Sequence, residues 1–61
     1  MNIETDKQMA DDIKIVLSVL KQASEYNLEV EVVFTALQSM KHHPKQTVSE
    51  AILTGLHEWV K

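Results

Sequence analysis

Cysteine and arginine are both absent from this chain of 61 residues, and glycine, proline, tryptophan, tyrosine and phenylalanine occur once each. Each shortage excludes something. Without cysteine no disulfide cross-links a fold of this size and no thiolate is available to bind zinc, so stability must come from helix packing or from a second copy of the chain. Without arginine there is no planar fork of the kind that reads phosphate and guanine in two places at once. Nine acids against six lysines leave a net charge of −3, the wrong sign for a polyanion. One glycine cannot build a glycine-rich phosphate loop. No apolar run approaches the roughly 18 residues that cross a bilayer, and Met1-Asn2-Ile3-Glu4 carries an acid where a secretory signal has a basic region and then an apolar one. A cytoplasmic location and no membrane contact are the default expectations.

What is present fits a compact all-α fold. With 44% hydrophobic residues the chain departs from disordered composition, and its length allows a single helical domain over residues 1–61. The spacing predicts a three-helix bundle with helices over about 6–25, 28–42 and 48–61, alone or as a homodimer. Thr5 or Asp6 is placed to cap the first helix, with Gln8 completing a capping box. Met9, Ile13, Val16, Leu17, Leu20 and Ala23 then recur at intervals of three and four as one apolar face. Ile15, Val19 and Tyr26 form a second stripe beside it, so the apolar arc covers about half the circumference at 100° per residue. An arc that wide predicts more than one packing partner.

Asn27 is suited to close the first helix in the left-handed conformation and to cap the next. The following NLEVEVVF stretch is ambiguous. Leu28, Val30, Val32 and Phe34 alternate with polar residues as in a strand, while Val30, Val33, Phe34, Leu37 and Met40 follow helical spacing over a longer run, which favours a helix. Pro44 disfavours helical geometry at His43 and ends that helix near His42. Thr47-Val48-Ser49-Glu50 has the form of a capping box, in which the Glu50 side chain returns to the Thr47 N–H. The third helix turns Val48, Ile52, Leu56 and Trp59 inward. Gly55 lies on the same side, one turn from Ala51, and its cost of about 1 kcal/mol relative to alanine predicts a close approach by another backbone.

Catalytic and metal chemistry find no footing in this pattern, and no catalytic residue, cofactor or small-molecule substrate is expected. His42 and His43 are adjacent and point apart on a helix, whereas zinc needs three or four convergent ligands. His57-Glu58 opens like a zinc-protease motif, but the second histidine is absent, with Lys61 in its place. The histidines read as helix-end and solvated residues, and the serines lack a recognisable elbow or base.

Two resemblances point to nucleic acid. Gln46-Thr47-Val48-Ser49 resembles the opening of the recognition helix in helix-turn-helix repressors of the lac repressor family, which implies Gln46, Thr47 and Ser49 as groove-facing residues, with Lys41 and Lys45 near the backbone. The chain departs from that pattern at His42 (the turn glycine), Gln38 (a small residue) and Glu50 (an arginine). Alternatively, NLEVEVVF resembles the ribbon of a ribbon-helix-helix dimer, with TVSEAILTGLHEW as its last helix. That ribbon would aim Glu29 and Glu31 at phosphate, against the charge neutralisation that dominates such binding.

The leading expectation is therefore a non-enzymatic protein-interaction module of regulator, adaptor or inhibitor type, meeting a protein partner, itself or both through an apolar helical surface. Ile15, Val19, Tyr26, Leu28, Val32, Leu53 and Val60 lie outside the main stripes and exceed what a lone bundle readily buries. Ile15, Val19 and Tyr26 are the expected contact, with Trp59 as an interface anchor or, being in phase with Leu56, a core residue. DNA-binding regulation is the alternative.

Overall fold

The computed structural model describes the backbone of residues 3–60 and the side chains of residues 7–60. Three helices make up the described residues: α1 (Ile3–Ser24), α2 (Glu29–His42) and α3 (Val48–Trp59), with no strand among them. The all-α three-helix reading holds, and residues 29–34 are helical. Glu29 and Glu31 sit in the first turn of α2, where free N–H groups favour negative charge.

Each helix end has a local cause. Asn27 takes a positive φ of 56°, which lets the Leu28 N–H reach the Ala23 carbonyl at 3.0 Å and the Asn27 N–H reach that of Ser24 at 3.1 Å. This paired closure is the Schellman arrangement, and Ala23 and Leu28, which flank it, both pack in the core. Asn27 does not also cap α2; the cap position is Leu28, without a side-chain bond. At the other end of α2 the His43 N–H donates to the Ser39 carbonyl at 2.8 Å, and Pro44 stops the helix there. The α3 start is a true cap, with Thr47 Oγ1 accepting from the Glu50 N–H at 3.1 Å. The return contact differs from expectation: the Glu50 carboxylate accepts from the Thr47 hydroxyl at 3.0 Å. At α1, Thr5 and Asp6 lie inside a helix that starts at Ile3, so neither is its cap; their side chains fall outside the described residues.

The core keeps Ala23, Ile52 and Leu56 where expected but departs from the expected faces elsewhere. Its buried residues are Val19, Ala23, Val32, Ala36, Ala51, Ile52 and Leu56, and three of these are alanines. Val19 and Val32, expected as surplus, are 2% and 0% exposed, whereas Met9, Ile13 and Leu17, expected inward, are 50%, 52% and 62% exposed. On α3, Ile52 and Leu56 are buried as expected, but Val48 and Trp59 stay half exposed. For α2 and α3 the physical reason sits at Gly55. A Cβ there would collide with the Val32 carbonyl oxygen and lie 3.2 Å from the carbonyl carbon, so α3 packs directly on the α2 backbone. Helices that approach this closely present small residues to each other and rotate their bulky stripes away. Accordingly α2 and α3 share the most extensive contact, while α1 touches α2 least.

The result is thin. The Cα extents are 36 × 24 × 15 Å, and the short dimension equals about two packed helices, given axes 8–10 Å apart. Every helix therefore keeps one face open to solvent.

Candidate functional site

Large apolar side chains collect on two outer faces. On α1, Met9, Ile13 and Leu17 follow one another at every fourth position, all half exposed or more. With Val16 and Val48 they line an open groove of about 410 Å³, to which Gln8 and Asp12 also contribute. Two polar side chains tie the helices together beside it: the Ser49 hydroxyl donates to the Asp12 carboxylate at 2.5 Å. That bond joins the start of α3 to the middle of α1 and holds Val48 opposite the α1 stripe.

On α2, Val30, Val33, Phe34 and Leu37 are 78%, 36%, 57% and 57% exposed. They lie on a single arc of about 100°, adjacent to the buried arc that carries Val32 and Ala36. The only phenylalanine, tyrosine and tryptophan of the chain are thus all outside the core: Tyr26 is 59% and Trp59 45% exposed. Trp59 is nevertheless held, since its indole N–H donates to the Thr35 hydroxyl at 2.8 Å, linking the end of α3 to α2.

No protein-family model, curated protein or solved structure matches the chain.

The four residues expected at an interface fall in different places. Val19 lies in the core and Ile15 is half-buried against it, whereas Tyr26 and Trp59 are exposed. The exposed apolar stripe of α1 is instead Met9, Ile13 and Leu17, about 140° around the helix from Ile15 and Val19. Both stripes were visible as apolar spacing on α1; which one faces inward depends on how α3 crosses it. The missed α2 face was visible in the same way, as the helical series from Val30 to Leu37, but helical spacing marks an apolar face without stating what covers it.

Three of the five candidate DNA-contact residues are engaged within the chain. Gln46 accepts from the Ser39 hydroxyl at 2.6 Å, Thr47 caps α3 and Ser49 is bound to Asp12. Lys41 and Lys45 are exposed, as are His42, His43 and His57. With residues 29–34 helical, the ribbon of the ribbon-helix-helix pattern is not formed. Among the described residues no helix is long and apolar enough to cross a membrane.

Proposed function

We propose that this chain is a small non-enzymatic protein-interaction module that works by presenting the apolar outer faces of α1 and α2 to protein. One observation carries the reading: large apolar residues line the outer faces of α1 and α2, while the buried set is mostly alanine and valine. A buried set dominated by alanine and valine coexists with exposed Met9, Ile13, Leu17, Phe34 and Leu37. Single exposed leucines or valines are ordinary, but contiguous apolar stripes on a monomer mark contact sites. An amphipathic helix would suit the α1 groove, with anchors three and four residues apart entering between Ile13, Leu17 and Val48. A regulator, adaptor or inhibitor acts in this way, by occupying or bridging surfaces of other proteins.

The test is a quantitative pull-down with the tagged chain and with its Ile13→Glu/Leu17→Glu variant, each from nuclease-treated and untreated lysate. A protein captured in near-stoichiometric amount by the original chain, insensitive to nuclease and lost with the variant, supports the reading. Nuclease-sensitive DNA captured equally by both would overturn it in favour of a DNA-binding regulator.

A further inference from the structure

The lysines of α1 stand in one row beside the groove. Lys7, Lys14 and Lys21 recur every seven residues, and all three are exposed. At 100° per residue they lie about 100° around the helix from Ile13, on the side away from Val16 and α3. The stripe of Met9, Ile13 and Leu17 therefore runs between the α3 wall and a bank of positive charge. That bank is about 21 Å long at 1.5 Å per residue, and all of it belongs to α1. The described acids of α1 do not interrupt it. Asp12 lines the opposite bank, where its carboxylate is taken up by the Ser49 hydroxyl. Asp11 lies beyond the lysines as seen from the groove.

This asymmetry selects the occupant. A helix laid in the groove meets α3 on one flank and lysines on the other, so anchors three and four residues apart satisfy the stripe while acids along one flank meet the row. About 15 residues of helix span the three lysines. A second copy of this chain does not supply such a helix. Laid antiparallel about a two-fold axis, α1 on α1 sets each lysine row against the other, and α2 carries its acids, Glu29 and Glu31, in its first turn alone. A polyanion such as DNA would match the lysines but leave the apolar stripe uncovered.

We propose that the α1 groove binds an amphipathic helix of another protein that carries a line of acidic side chains along one edge of its apolar face, with Lys7, Lys14 and Lys21 meeting those acids. The inference rests on the interaction reading above and names the class of partner. Exposed ion pairs are individually weak, so the apolar stripe supplies most of the affinity, while the row decides which helix is accepted and in which direction it lies.

The experiment titrates the purified full-length chain into three fluorescein-labelled synthetic helical peptides of about 18 residues, enough to span the row. All share leucines three and four residues apart; along one edge, every seventh residue is glutamate, glutamine or lysine. Fluorescence anisotropy is expected to show the glutamate peptide binding about tenfold tighter than the lysine peptide at low salt, with the glutamine peptide between them, and the gap narrowing as salt is added. The gap should vanish in a Lys7→Gln/Lys14→Gln/Lys21→Gln variant, whereas Leu17→Glu should weaken all three peptides. Equal affinity for the three, or binding of none, overturns the acidic partner. Binding to vesicles of phosphatidylserine and phosphatidylcholine, lost in the lysine variant and without preference among the peptides, overturns it in favour of an anionic membrane surface. The lysine variant in the lysate pull-down separates the two levels of the reading. A protein lost with Ile13→Glu/Leu17→Glu but retained in full by the lysine variant overturns this inference and leaves the interaction reading standing; no protein captured by the original chain overturns both.

Discussion

The α2–α3 seam and the outer faces of α1 and α2 are both apolar, yet they are built from opposite residues. In the seam, Gly55 lies against the Val32 backbone, with Ala36 and Ala51 in the same buried cluster. On the outer faces stand Met9, Ile13, Leu17, Phe34 and Leu37. Small residues let two backbones approach and gain dispersion along their length, but remove little apolar area each; large ones remove far more, at about 25 cal/mol per Å², once something covers them. The difference teaches that small residues set the closest backbone approach in this chain, while the outer faces of α1 and α2 keep large ones at the surface.

Substitutions can break that division in order of expected effect. Gly55→Val forces a branched side chain into the Val32 backbone and is expected to cost about 3 kcal/mol, at the upper end for overpacking. Urea unfolding followed by circular dichroism would measure it. Ile52→Ala opens a cavity in the same region and should cost somewhat less, about 2 to 3 kcal/mol, read as a lower midpoint with an unchanged slope. Thr47→Ala removes the α3 cap at an expected cost of about 1 kcal/mol, with Thr47→Gly recovering part of it. Thr35→Val deprives the Trp59 indole of its acceptor. Because Trp59 is half exposed, water replaces that bond, and the expected cost is only about 0.5 kcal/mol, accompanied by a change in tryptophan emission. Ile13→Ser, on the outer face of α1, completes the series. Its expected effect on unfolding stays within about 0.5 kcal/mol, although Ile13 is as large as Ile52. Equal losses from Ile13→Ser and Ile52→Ala would erase the distinction between seam and surface.

Local punctuation was the readable part of this sequence. Asn27 closing α1, Pro44 stopping α2 and Thr47 with Glu50 opening α3 each act on residues within five positions, so neighbours in sequence suffice to reveal them. The close approach at Gly55 was also readable, because a glycine on the apolar side of a helix is costly unless a backbone needs the space. The faces were not. Val19 and Val32 looked like surplus beside stripes of larger residues, and spacing alone weighs Leu17 above Val19 or Phe34 above Ala36. Ser49 and Gln46 likewise resembled the start of a recognition helix, and only the positions of Asp12 and Ser39 reveal that their polar atoms are already engaged.

The sequence by itself determined three helices, their turns and the presence of more apolar surface than one small bundle absorbs, because periodicity, caps and composition are local or additive properties. Tertiary structure alone decided which arc of each helix is core. That choice depends on how the helices cross, and here Gly55 brings α3 so near the α2 backbone that small residues meet and the bulky stripe of α2 turns outward.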